Sequence, residues 1–589
     1  MRFLIVQNVV SSDEPYGRFS AGMYLILEKF GLHDFCEVDW QRREEWSSRS
    51  GPYVVLVPAG VTRSLSPGDL QWITEQQGIW FLEGPWGESA NSWFGFACES
   101  YDPPLSSSCA SICDNSLRQW LNGYLAGIHG PSNSGAYESP DTLWIRDRVR
   151  VERRQTEILS LHQCNQRAKD PSWKLSRTKT QLPVDTTALI READNYGRSV
   201  LLFRKANLVV STFELFSYLV QDYTAETMHH EYAFSNDRYP WEILLVHYML
   251  SSLQQQLLDQ AQAGGVLRDL AAIRIAPWPY GKQYAVTVRH DVDRIPKDPS
   301  FPRLLEIGRQ ATVGVYSCFL ASTANAKTIT QFEKNNAEIA YHSMHLEPEA
   351  RTEINAIEKH SSKPMRGFFV HGNPGFYGWR GAANWEIAQE LGFEYCENLS
   401  SMRYFPGRAF KLDDNGSLKA YPFVCLPHHI SFDKNKTVNR ANEITRSVQV
   451  IARNQMHLIL MNHPDLHNQA FMQFLTENLP EDYIGWTALE VSRWWRKTHF
   501  SENLQYEVSW ENRWRAEIVL RTDEPIPGLT LEIPAAVLPE KIEMDGQPLL
   551  PEQIRPFDTS ALCSRGWRIW FDIPAGGARV VFEIPEESV

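Results

Sequence analysis

At 589 residues the chain is longer than one hydrophobic core usually serves, so its size predicts about three domains. A composition of 43% hydrophobic and 22% charged residues is that of a globular protein, and a net charge of -13 excludes nucleic acid as the main partner, because a phosphate backbone calls for a basic face. No run approaches the roughly 20 apolar residues of a membrane helix, and Met1 to Asn8 reads as a first strand rather than a secretory signal.

In the first part, Phe3 to Val6, Tyr53 to Val57 and Ile79 to Leu82 read as strands, with helices at Ala21 to Phe30 and Pro67 to Gln77. This is a doubly wound α/β pattern. A loop or insertion follows from Pro131 to Pro140, and Arg146 to Arg154 reads as a solvated face or a strand with exposed alternate positions. Gly197 to Ser211 reads as a closing strand pair, Phe213 to Leu219 as a helix, and Trp241 to Gln262 as a long helix ending at Gly264-Gly265. The whole of residues 1–264 resembles the glutamine-amidotransferase-like (flavodoxin-like) fold. Phe94-Gly95-Phe96-Ala97-Cys98-Glu99 departs from that family's Gly-x-Cys-x-Gly turn, so the resemblance extends to the fold and not to the activity.

Residues 270–498 repeat strand and helix many times, which suits a distorted (β/α) barrel. Its strands are expected at Tyr284 to Val288, Val313 to Leu320, Glu338 to Tyr341, Met365 to Val370, Phe393 to Cys396 and His457 to Met461. Helices are expected at Phe301 to Gln310, Ile329 to Asn335, Thr352 to His360, Asn384 to Leu391, Val438 to Arg453 and Ala488 to Lys497. Residues 499–589 lose the helical period. Alternating runs such as Ala516 to Leu520 and Trp567 to Ile573, broken by Pro and Gly, predict a small β-sandwich. Core packing accounts for its Trp510, Trp514, Trp567 and Trp570, with a glycan platform as the alternative.

Chemistry gathers at the C-terminal ends of the barrel strands, where parallel α/β sheets carry their sites. The apolar run Tyr284 to Val288 ends in Arg289, His290, Asp291 and Asp293. Two such aspartates can divide labour, one binding a divalent cation and the other taking a proton from its water. His342-Ser343-Met344-His345 supplies two imidazoles, which with a carboxylate are the ligands of a catalytic zinc. Asn462-His463-Pro464-Asp465 sets a further histidine at the same mouth, able to protonate a leaving amine.

In this order the motifs resemble those of the polysaccharide deacetylase family, carbohydrate esterases of distorted (β/α)-barrel fold, over residues 283–495. The resemblance implies Asp291 as general base, Asp293, His342 and His345 as ligands of a divalent metal, zinc first among them, and His463 as the acid. It also implies Arg366 or His371 as the group orienting the base, and Tyr377 and Trp379, in Phe376-Tyr377-Gly378-Trp379, as a sugar-stacking loop. This chain separates the aspartates by Val292, where the commonest family form has them adjacent, so base and ligand roles are exchangeable. Its histidines are three apart rather than four, and Arg366-Gly367-Phe368-Phe369 stands where the family has Arg-x-Pro-Tyr.

The expected activity is metal-dependent removal of N-acetyl groups from an amino sugar or glycan, with surface-polysaccharide synthesis as one setting. The alternatives are a non-catalytic carbohydrate-binding or scaffold protein with a degenerate barrel, and a hydrolase of O-acetyl or formyl groups. Nine cysteines without framework spacing, with Cys109 and Cys113 the only close pair, predict reduced thiols and a cytoplasmic protein. The oligomeric state is not legible.

Overall fold

The computed structural model describes residues 2–7, 23–24, 26–47, 53–76, 78–84, 93, 99–100, 109–112, 142–144, 176–179, 186–192 and 199–211. From 273 to 583 it describes all but 298, 344–345, 347–349, 371–382, 398–404, 413–417, 428, 433–443, 446–447, 450, 453–454, 466–468, 513–514, 534–538 and 558–565.

The N-terminal strands form a parallel block in the order Phe35–Asp39, Arg2–Gln7, Tyr53–Val57, Ile79–Leu82, Leu208–Ser211. The edge strand Phe35–Asp39 carries an exposed Glu37, whereas the continuous apolar runs of the other four suit strands covered on both faces. The helix Pro67–Glu75 starts at a reciprocal cap, in which Ser66 Oγ accepts from Asp69 N at 3.1 Å and Asp69 accepts from Ser66 N at 2.9 Å. Ser199–Lys205 and Leu208–Ser211 pair antiparallel, as expected from the sequence. The segments 131–140, 146–154, 213–219 and 241–262 lie outside the described residues.

The middle of the chain forms a curled sheet built around Tyr284–Val292. On one side follow Gly314–Phe319, Glu338–Ser343, Gly367–Val370, Tyr395–Glu397 and Leu418–Leu426, all parallel. On the other side lie His457–Asn462 and then Ile430–Ser431, also parallel. The first strand of the series therefore pairs with both the second and the last major one, which is barrel-like winding. Among the described residues the ladder stays open between Ile430–Ser431 and the outer edge, where Gly407–Leu412 pairs antiparallel with Leu418–Leu426. The expected helix Phe301–Gln310 is present with those bounds. Close approach of backbone fixes one glycine here: a Cβ on Gly314 would lie 1.8 Å from the carbonyl carbon of Trp486.

Two antiparallel sheets end the chain, one of Leu504–Asn512, Arg515–Thr522, Ala578–Glu583, Lys541–Met544 and Gln547–Pro548. The other contains Ile526–Ile533, Gly566–Ile573 and Ile554–Phe557, and also Arg274–Ile275 from ahead of the curled sheet. That early strand is held by a buried ionic junction. Glu532 accepts from Arg274 Nε at 2.9 Å and from Arg568 Nε at 2.8 Å, while Arg568 Nη1 donates to Gln283 at 2.6 Å. Burial alone would raise the Glu532 carboxyl, but the two guanidiniums outweigh it and hold the group below its ordinary range. Apolar residues of all three parts, among them Ile26, Phe30, Trp278, Phe405, Trp495, Leu504 and Leu531, belong to one continuous core.

A half-buried carboxyl, Glu338, behaves in the opposite way. It bonds the Tyr395 hydroxyl at 2.7 Å and Leu489 N at 2.9 Å, and burial pushes it up to about 7. A folded value above the unfolded carboxyl range means that its contribution to stability is complete at acid pH and is lost as pH rises through about 7. Glu338→Gln mimics the protonated side chain. It is expected to remove roughly 2–3 kcal/mol of the decline in stability between pH 5 and 8, read from urea midpoints. An unchanged slope would contradict this.

Candidate active site

Alternation along Tyr284–Val292 decides what faces the concave side. Arg289, Asp291 and Asp293 are two residues apart and share one face, while His290 points to the other. There His290 Nδ1 lies 2.5 Å from Asn462 Oδ1 and the ring packs against Phe332 and Phe471, so burial lowers its pKa to about 4. It is a core histidine.

On the concave face Arg289 grips Asp291 with two parallel bonds, Nε to Oδ1 and Nη2 to Oδ2, both 2.5 Å. Burial would raise the Asp291 carboxyl, but the Arg289 charge, followed by His342, more than offsets it and the group is held ionised below its ordinary range. Arg289 Nη1 also donates to His429 Nδ1 at 2.9 Å, which requires the tautomer with its lone pair at Nδ1. The guanidinium carbon lies 3.0 Å from the Phe369 ring centroid, and the His342 ring stacks on that same phenyl at 5.4 Å.

Asp293 stands just past the strand end, where Thr323 Oγ1 pins the Val292 carbonyl at 2.7 Å. Its Oδ1 is 3.3 Å from His342 Nε2 and its Oδ2 is 3.4 Å from His463 Nε2. The strands that carry Asp293 and His342 are separated by one other, a gap of two ladder spacings of about 4.8 Å each. Curling of the sheet, over a row of Asp291, Cys318 and Ala340, closes that gap. His342 Nδ1 donates to the Phe369 carbonyl at 3.2 Å, which fixes the ring and leaves Nε2 as the nitrogen presented to Asp293.

Asp291, Asp293, His342 and His463 are thus brought together. Arg366 is not. It precedes the Gly367–Val370 strand, so it sits at the opposite end of the sheet, half-exposed, with Nη1 3.4 Å from the Gly392 carbonyl and Nε 3.8 Å from Glu394. The charge expected from Arg366 comes instead from Arg289, whose i, i+2, i+4 spacing with the aspartates was present in the sequence. His429 carried no such signal, since it stands in Pro427-His428-His429, just ahead of the two-residue strand Ile430–Ser431. His345, His371, Tyr377 and Trp379 lie outside the described residues.

Among the described residues no group of three or more His, Cys, Asp or Glu side chains is arranged to hold a metal ion. Asp293 and His342 supply one carboxylate and one oriented imidazole, a donor pair whose chemistry fits zinc and related divalent cations. Among the described residues no helix is long and apolar enough to cross a membrane.

No protein-family model matches the chain, and no curated protein sequence matches it. Solved structures resemble it over little more than a third of its length, and three illustrate the range. One is assigned as a polysaccharide deacetylase from Mycobacterium smegmatis: 18% identity, 37% of this chain and 92% of that one, TM-score 0.29. The second is a CE4 family pseudoenzyme from Bacillus anthracis: 14% identity, 37% and 70% coverage, TM-score 0.24. The third is the peptidoglycan deacetylase PdaC from Bacillus subtilis: 11% identity, 38% and 96% coverage, TM-score 0.25. Two carry deacetylase names and one is a pseudoenzyme. At these identities and scores the likeness has no weight of its own, and the functional reading rests on the chain's side chains.

Proposed function

We propose that the concave mouth of the curled sheet is the active site of a metal-dependent hydrolase that removes N-acetyl groups from an amino sugar or glycan. The observation that carries this reading is one carboxylate, Asp293, approached within 3.3 and 3.4 Å by the Nε2 atoms of two histidines from different strands. Asp293 and His342 would hold a divalent cation, with His345 as a further ligand. Such an ion acidifies a water and polarises an acyl oxygen. Asp291, kept ionised by Arg289, accepts the proton of the attacking water. His463, beside Asp293 on the accessible side, delivers a proton to the departing amine. Arg289 and His429 hold Asp291 in place. The products are acetate and a free amino sugar.

A second reading, a carbohydrate-binding protein without turnover, is favoured by one fact: both Asp291 oxygens are engaged by Arg289 and the residue is only 5% exposed. Metal content bears on both. Protein purified without chelator is expected to carry about one divalent ion per chain, measured by inductively coupled plasma mass spectrometry, and His342→Ala is expected to lose most of it. A wild-type chain free of divalent metal would overturn the hydrolase reading.

A further inference from the structure

A cleft of about 460 Å³ opens on the C-terminal sheets, lined among others by Tyr280, Gln547, Gln553, Trp570 and Asp572. It is remote from the mouth. Tyr280 precedes the Tyr284–Val292 strand and Asp293 follows it, so nine strand residues, about 30 Å, separate the two.

The turn that presents Tyr280 has an unusual backbone. Lys282 N bonds the Pro279 carbonyl at 3.0 Å, and the two central residues, Tyr280 and Gly281, both have positive φ, +54° and +64°. Turns of this kind favour Asn-Gly or Gly-Gly, so a tyrosine at the first central position is held against its preference. Tyr280 is nevertheless 46% exposed, one of three large apolar side chains so exposed among the described residues. The turn is sewn to the neighbouring strand, with Tyr280 N bonded to the Gly528 carbonyl at 2.8 Å and Gly281 N to Thr530 Oγ1 at 2.9 Å.

Both aromatic walls rest on glycine. A Cβ on Gly528 would fall 2.4 Å from Tyr280 Cε1, and one on Gly281 would fall 2.6 Å from Trp570 Cζ3. The same lining supplies a carboxylate and two amides. Asp572 Oδ1 accepts from Gly528 N at 2.7 Å, and Gln553 is oriented by bonds to the Trp570 carbonyl at 3.0 Å and Leu550 N at 2.9 Å. Among the described residues no lysine or arginine lines the cleft.

We propose that this cleft is a saccharide-binding site, taking a neutral sugar ring against Tyr280 and Trp570 with its hydroxyls on Asp572, Gln547 and Gln553. Flat aromatic faces match the C–H faces of a pyranose, and carboxylate and amide groups match its hydroxyls. A carboxylate with no lysine or arginine among the described lining residues disfavours phosphorylated and uronic-acid sugars. The assignment is independent of catalysis at the mouth: the cleft would anchor a glycan whether or not the sheet hydrolyses it.

The test is calorimetric titration of the full chain with trimers of glucose, mannose and N-acetylglucosamine, with a galacturonate trimer and a proline-rich peptide as competitors for the assignment. Binding of at least one neutral trimer is expected, retained in Asp293→Ala, which alters only the mouth. Tyr280→Gly removes the ring while relieving the backbone, so its thermal midpoint should not fall, and its affinity is expected to drop about tenfold. Asp572→Asn, which keeps the Gly528 bond, is expected to admit the galacturonate trimer. Binding that is unchanged in Tyr280→Gly, that is confined to the peptide, or that is absent with all three neutral trimers would overturn the proposal.

Discussion

Asp293→Ala is expected to lower kcat for acetate release by on the order of 10³-fold while leaving the fold intact. Its side chain is 25% exposed and takes no part in the core, so removing it costs little packing. What it removes is the carboxylate on which His342 and His463 converge, and with it the ligand of any bound cation. His463→Ala separates the two roles. It is expected to lower kcat by about 10²–10⁴-fold with metal content unchanged, because a proton donor is lost and a ligand is not. Equal loss of metal in both variants would show that His463 is a ligand, and full activity in Asp293→Ala would remove the site.

The second large effect is on stability. Arg289→Met leaves the Asp291 carboxylate buried and without its bidentate partner, which is expected to cost about 3–5 kcal/mol at pH 7. The sign of the pH dependence follows. In the wild type Asp291 has a lowered carboxyl, so its contribution is present above about pH 4 and is lost on acidification through the folded value. In Arg289→Met burial acts unopposed and raises the carboxyl, so that variant should gain relative stability as pH falls. The double variant Arg289→Met with Asp291→Leu is expected to recover most of the loss, since both charges are gone. Urea midpoints between about pH 2 and 8 check all three, and a single variant as stable as wild type at pH 7 would contradict the burial argument.

The sheet around Tyr284–Val292 was legible in the sequence because its strands are continuous apolar runs that end in ionisable residues, and Phe301–Gln310 because its apolar positions repeat at helical spacing. That Asp291, Asp293, His342 and His463 would lie near one another was legible because each stands at the end of a strand. Two kinds of information were missing. Facing is one: the same period of two that joins Arg289 to the aspartates turns His290 away from them, and only the choice of concave side distinguishes the two. Long-range pairing is the other. Arg274–Ile275 falls within residues 270–498, expected to form the barrel, yet it completes a sheet with Ile526–Ile533, more than 250 positions later, beside the Arg274–Glu532 bond. The hairpin of Gly407–Leu412 and Leu418–Leu426 was likewise invisible, its alternation interrupted by a register shift between Arg408 and Phe410. Arg366 was placed in the site by motif order alone, although its position before a strand already set it at the wrong end.

The measurement closest to the central claim is acetate release from a panel of N-acetylated sugars and oligosaccharides by the zinc-loaded full chain. Release from at least one of them is expected, abolished by chelation and restored by added divalent metal. No acetate from any of them, with one metal ion bound per chain, would contradict hydrolysis at Asp293 and leave the mouth of the sheet as a binding site.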